Sequence, residues 1–365
     1  MTPKCLTFTF PGGDISARHD QSGLAGNVKI ALVPWGETVA ELVAAASAAE
    51  SAGFDSVWTT ELHRTAFVTA AAIACATSKI RVGTGIALAF VRSPMITALT
   101  ALDMDEISGG RFVLGLGPGV RRLTEEWHHA TYGRPAAHLA ETVEVIRRFV
   151  AGAHIGAQMD FEGTHERVRV RGYERPFAPV RPAIPIYLAA VGPAMLRTAG
   201  RIADGWISHE LNSPAYLRER ALPRLEEGLA EAGRSRSSLE VVASAVCMVD
   251  VDGRAARRKA AGLVAFYATV RSYEDFFEFH GFLEEARAIQ ECFRAGDEAG
   301  MAERVPDAMV DALTLSGTPT EVRARLAGYE GLADTVKLSP PTHMVPARVT
   351  RGAQHALLEM FAGGG

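Results

Sequence analysis

Cysteine is scarce in this chain. Cys5, Cys75, Cys247 and Cys292 are the whole supply in 365 residues. They are too few and too scattered for a disulfide framework or a C-x-x-C metal pair, so a reducing cytoplasm is the expected home. Long apolar runs are missing too. None reaches the length of a membrane span, the alanine-rich stretches included, and the N-terminal MTPKCLTFTFPGGDISARHD lacks the apolar core of a signal peptide. Charge of one sign is also lacking: 38 Lys and Arg stand against 42 Asp and Glu, a net −4. That balance argues against nucleic acid or an anionic membrane as a partner. Metal-ligand spacing is absent. His128-His129 and His165 have no partners at H-E-x-x-H or similar intervals, and no metal is expected. Nor is there a G-x-G-x-x-G: neither Gly83-Thr84-Gly85 nor Gly115-Leu116-Gly117-Pro118-Gly119 fits it, so a Rossmann NAD site is not supported.

What the chain does have is enough apolar residues, 48% against 22% charged, to build a sizeable core. Its organising stretch is Lys79 to Gly119, which reads as strand, helix, strand. Ile80 and Val82 lead into Gly83 and Gly85. Ser93-Pro94 is a helix start, a capping hydroxyl followed by proline at the first helical position. Met95, Leu99, Leu102 and Ile107 suggest the helix's buried face. Gly109-Gly110 stops it, and RFVLGL runs into Gly117-Pro118-Gly119. Both strands end in glycine, so backbone rather than side chain faces whatever lies beyond them, the side where α/β folds place their ligands.

The same alternation continues on either side. Strands are expected at Val28–Val33, Asp55–Thr59, Ile186–Ala190, Trp206–Ser208, Leu239–Val249 and Asp334–Leu338, with helices between. Met159 to Val170 reads as a two-stranded excursion around Gly163. Eight strand candidates without a linker favour one (β/α)8 TIM barrel over an open doubly wound sheet. The expected layout is an irregular N-terminal arm over residues 1–26, with a short strand at Leu6 to Phe10. A single barrel domain then fills 27–365, with a helical insertion at about 253–313. That insertion carries Tyr267, Tyr273, Phe276, Phe277, Phe279, His280 and Phe282, which suit either a roof over a substrate pocket or a small core of their own. Trp35 and Trp206 sit at strand positions that suit either the barrel mouth or core packing.

The stretch GTGIALAFVRSPMITALTALDMDEISGGRFVLGLGPG, with AGFDSVWTTELH, IPIYLAAVGPAMLRTAGRIADGWIS and SGTPTEVRARL in that order, resembles the luciferase-like superfamily, specifically its coenzyme F420-dependent branch. The resemblance runs from about Val28 to the C-terminal helix. It implies a TIM barrel holding a deazaflavin at its C-terminal face and a homodimer. It also implies a bulge at the third strand with a non-prolyl cis peptide at Gly85–Ile86 behind the ring. Gly117, Pro118 and Gly119 match the segment that approaches the ring or its phosphorylated chain. Pro118 stands where relatives often carry a small hydroxyl. Ala189, Ala190, Val191 and Gly192 match a phosphate-binding turn, where N–H groups and a helix dipole favour an anion.

Glu61 matches an acidic residue after the second strand. In several F420-dependent dehydrogenases a histidine follows it, but here that position is Leu62 and the histidine comes one later, at His63. Either His63 serves as the acid, or no base is needed, which suits hydride delivery to a C=N or C=C acceptor of a small molecule. Arg92, Arg121 and Arg122 could meet the anionic cofactor tail or simply pair on the surface. The leading expectation is an F420-dependent oxidoreductase with Glu61 and His63 as its catalytic candidates. An FMN-dependent monooxygenase is the alternative, and a non-catalytic flavin-binding protein the second.

Overall fold

A computed structural model describes residues 28–362; the expected N-terminal arm lies outside the described residues. Among the described residues there are twelve strands: β1 (Lys29–Leu32), β2 (Ser56–Thr59), β3 (Arg81–Thr84), β4 (Ala87–Leu88), β5 (Phe112–Gly117), β6 (Met159–Glu162), β7 (Arg167–Val170), β8 (Ile186–Ala189), β9 (Gly205–Ile207), β10 (Glu240–Val249), β11 (Leu315–Gly317) and β12 (Thr335–Ser339). Eight of them close a parallel barrel in the order β1-β2-β3-β5-β8-β9-β10-β12, with β12 returning to β1. This is the (β/α)8 TIM barrel that the alternating pattern implied. The antiparallel β6–β7 hairpin stands apart from it. Two short strands were not legible from the pattern: β4 resumes the line of β3 past a break at Gly85–Ile86, and β11 pairs alongside the end of β10.

Two of the first three helices between strands begin at a side-chain cap. The first two are α1 (Val39–Ser51), whose start Thr38 caps by accepting from Glu41 N–H, and α2 (Ala66–Ala76). The third, α3 (Pro94–Ser108), starts with Ser93 Oγ accepting from Ile96 N–H at 3.2 Å and ends at left-handed Gly109. Next come α4 (Pro135–Gly152) and α5 (Pro193–Ile202). The expected buried face of α3 is met at Leu102, which is buried, and at Met95 and Leu99, which pack on the core, and fails at Ile107. Ala98, Ala101, Leu102, Met104 and Asp105 are buried, whereas Ile107 is 45% exposed. Small side chains let α3 lie close to its neighbours, and Asp105 pays for its burial with an Arg181 ion pair at 2.5 Å.

Glycines and two large rings share the barrel interior with Val113, Ile207 and Val242. Side chains alternate in and out along each strand, and the inward positions include Gly83, Gly85 and Gly205. The space they leave is taken by Trp58, over Gly83 and Gly85, and by Tyr187, against Gly205; the ring centroids of Trp58 and Tyr187 are 5.7 Å apart. Below them an ionic plug closes the N-terminal end. Arg81 bridges Asp55 (2.5 Å) and Glu240 (2.8 Å), while the Tyr187 hydroxyl donates to Glu240 at 2.6 Å. Burial works against the Glu240 charge, but the Arg81 hydrogen bond overcomes it and holds the carboxyl at about 2.

Trp206 points the other way. It is fully buried among the outer helices, its indole N–H donating to the Ala190 carbonyl at 3.0 Å. Trp35 lies under the C-terminal helix, Ala347–Ala362. Its backbone N–H donates to Gln354 at 2.6 Å, and Arg351 sits over its ring. The core reading holds for Trp206, and Trp35 packs on that helix. The insertion aromatics divide: Phe276 and Phe277 are buried in a second core, while Tyr267 and Tyr273 are only partly buried.

Candidate active site

Strand direction puts the C-terminal ends of all eight barrel strands at one mouth, and its floor is largely backbone. The peptide between Gly85 and Ile86 is cis. Ile86 reaches across to β5, where a side chain on Gly117 would run into it and would come within 3.3 Å of the Ala189 Cβ. Beyond Gly117 the chain turns at Gly119, which has a left-handed φ of 62°. The Pro118 carbonyl accepts from the Thr124 hydroxyl and the Gly119 carbonyl from the Tyr132 hydroxyl, both at 3.2 Å. The segment is thereby pinned by two hydroxyls.

After β8 the chain passes through Ala190, Val191 and Gly192 into α5. Gly192 has φ 63° and ψ 154°, and no side chain caps the helix. The N–H groups of Val191 and Gly192 have no acceptor among the described residues. An uncapped helix start with free N–H groups next to a floor of glycine backbone and apolar side chains fits a flat molecule carrying a phosphate.

Glu61 is not a free carboxylic group. It accepts from Leu88 N–H at 2.8 Å and is gripped by both terminal nitrogens of Arg92, one of them at 2.8 Å. Its side chain is 8% exposed. The pair ties the loop after β2 to the loop after the bulge, so both Glu61 and Arg92 act on the floor's shape. His63 and Leu62 are exposed. Arg121 and Arg122 lie along a short surface helix and pair with Glu125 and Glu126 one turn on.

Sequence reasoning missed a second group of residues at the mouth. Glu210, just past β9, accepts from Ser339 Oγ (2.7 Å) and the Tyr267 hydroxyl (2.8 Å). Lys337, on β12, is 4% exposed, and its ammonium stands 3.6 Å from where a Cβ on Gly85 would be. Burial pushes Glu210 towards protonation, but Lys337, Ser339 and Tyr267 outweigh it and its net shift is downward. Burial also lowers Lys337, opposed by Glu210.

His209 is packed among Tyr267, Tyr273 and Phe276, with centroid distances of 4.1 to 5.3 Å. Burial holds its imidazole down at about 4, and its Nδ1 accepts from Leu211 N–H at 3.2 Å, so the ring's proton is on Nε2. His343 lies within electrostatic reach of both Glu210 and His63. The roof is thus aromatic and the floor beneath it carries one cation and one anion. The usable signal was a lysine at an inward position of an otherwise apolar strand, DTVKLS.

Among the described residues no cluster of three or more His, Cys, Asp or Glu could hold a metal, and no helix is long and apolar enough to cross a membrane. A cleft of about 410 Å³ lined by Phe149, Met159 and Tyr173 lies between α4 and the β6–β7 hairpin, away from the mouth.

A family model described as luciferase-like monooxygenase matches residues 10–335. The chain is 34% identical over 301 residues to a 5,10-methylenetetrahydromethanopterin reductase of Archaeoglobus fulgidus, covering 80% of this chain and 87% of that one. It is 33% identical over 299 residues to an uncharacterized protein of Mycobacterium tuberculosis, with the same coverage. Among solved structures, the coenzyme F420-dependent tetrahydromethanopterin reductase of Methanopyrus kandleri superposes with a TM-score of 0.77 at 27% identity, over 92% of this chain and 98% of that one.

Proposed function

The chain belongs to the luciferase-like monooxygenase family, and from that premise we propose that it is an F420-dependent oxidoreductase, a reductase that passes hydride to a C=N or C=C acceptor of a small molecule. The observation that carries this reading is the apolar floor of glycine backbone at Gly85 and Gly117 with the Ile86 and Ala189 side chains, beside the uncapped start of α5. Relatives that are named for F420 or for a methylene-pterin reductase support it.

In this reading F420, when bound and reduced, supplies the hydride. The chain does the rest. Gly85, Ile86 and Ala189 offer a flat apolar surface to one face of the ring. Pro118 and Gly119 border it. Ala190, Val191 and Gly192, at the start of α5, receive the phosphate. Glu61 and Arg92 hold the floor in shape through their mutual pair. Tyr267 and Tyr273 exclude water from above, which strengthens every charge interaction inside. A proton for the reduced acceptor comes from His63 or from solvent, because Glu61 is engaged by Arg92.

The family model's own description favours one other reading, an FMN-dependent monooxygenase. A single set of titrations separates the two. Quenching of F420 fluorescence at micromolar protein, with no flavin copurifying, supports the deazaflavin. Tight FMN binding with oxygen consumed during NADH oxidation supports the monooxygenase instead.

A further inference from the structure

Lys337 is a buried cation at the mouth to which the proposed hydride transfer gives no task. An ammonium is costly to bury unless something neutralises or hydrogen-bonds it. Here the side chain is 4% exposed, and its Nζ has no hydrogen-bond or ion-pair partner among the described residues. The carboxylate that balances it, Glu210, is within electrostatic reach but already accepts from Ser339 and Tyr267. The other groups facing this pair are His209, Tyr273 and His343. His209 stays neutral through burial, and the tyrosines are held protonated by burial and by Glu210. Lys337 is therefore the one cation of the group, and it stands 3.6 Å from the Cβ position of Gly85, at the edge of the floor on which a ring would rest.

We propose that Lys337 is a ligand to the redox ring itself, its ammonium donating to an oxygen at the ring's edge and favouring the ring's anionic form, with Glu210 as the fixed counter-charge. The proposal rests on the F420 reading. It makes Lys337 a tuner of the bound ring's charge as well as a binding contact. The 8-hydroxy-5-deazaflavin chromophore ionises to an anion delocalised between its phenolic and pyrimidine oxygens, so a cation at either end shifts the same equilibrium. An opposite charge at contact distance lowers the pKa of an ionising group by about 1–3 units.

The test needs no substrate. The absorbance of F420 bound to the full chain is titrated between about pH 5 and pH 9, next to free F420. The wild type is expected to ionise the bound chromophore at least about one unit lower than free cofactor. Lys337→Met should remove that shift, and Lys337→Arg should keep most of it. A wild-type chromophore that ionises at or above the pH of free F420 overturns the proposal whether or not the variants fold. So does a Lys337→Met protein that binds F420 and titrates like wild type. Failure of the wild type to bind F420 at all is a separate result, and it rejects the cofactor reading rather than the role of Lys337.

Discussion

A side chain on Gly83 would put its Cβ 2.5 Å from Cε3 and Cζ3 of the Trp58 indole. Trp58 is fully buried, and its indole N–H donates to Ser56 Oγ at 3.0 Å, so the ring has little freedom to yield. The barrel's interior volume is thus divided between a glycine and the largest side chain available. Overpacking a fixed core costs about 1–3 kcal/mol. Gly83→Ala is expected to lower the denaturant midpoint by that amount. A variant as stable as wild type would mean that the indole is not held in place.

Arg92→Ala should weaken F420 binding without unfolding the protein. It strands the Glu61 carboxylate, 8% exposed, and frees the loop whose Leu88 N–H that carboxylate holds. Loss of a charged hydrogen-bonded partner is worth about 1.5–3 kcal/mol. Arg92→Lys should recover only part of the loss, since an ammonium cannot reproduce the two-nitrogen grip. Fluorescence titration of F420 measures both. Equal affinities in all three proteins would remove the pair from the site's construction.

Acid should weaken the fold partly through His209. Its folded pKa is depressed to about 4 by burial, with Lys337 adding and Glu210 opposing. An unfolded histidine takes its proton near 6.5. The unfolded state therefore binds more protons between these values, and stability falls as pH drops from about 6.5 to about 4. Above that window His209 contributes no pH dependence. His209→Phe should flatten this limb of the stability–pH curve relative to wild type, measured by urea unfolding at pH 7 and at about pH 5. Parallel curves would show that the imidazole is not buried as described.

Gly192→Ala should separate the phosphate from the ring. The left-handed φ of 63° disfavours alanine, although a Cβ there meets nothing within 4 Å. Such strain costs about 1–3 kcal/mol and falls on the turn that offers its N–H groups. F420 should bind more weakly, while a phosphate-free deazaflavin keeps its affinity. Equal losses for both ligands would place the phosphate elsewhere.

Much of this was written locally in the chain. Ser93-Pro94 and Gly109 bounded α3, and glycines marked the strand ends, because caps and turns are set by neighbouring residues. On α3 only Ile107 departed from the expected face, and the bulky residues did not show that Ala98 and Ala101 fill much of the rest of it. Tyr267 and Tyr273 parted from Phe276 and Phe277 only on folding, since a helical aromatic run does not say which face meets the mouth. The Glu210 cluster was invisible for a different reason. Ser339 and Glu210 lie 129 residues apart, and barrel closure alone brings β12 within reach of the segment after β9.

The most direct test of the account is a crystal structure of the protein soaked with F420. The ring is expected to lie with one face on Gly85 and Ile86, its phosphate at the N–H groups of Val191 and Gly192, and an edge oxygen beside Lys337. A ring bound away from that floor, or a mouth that admits FMN and leaves F420 in solution, would contradict it.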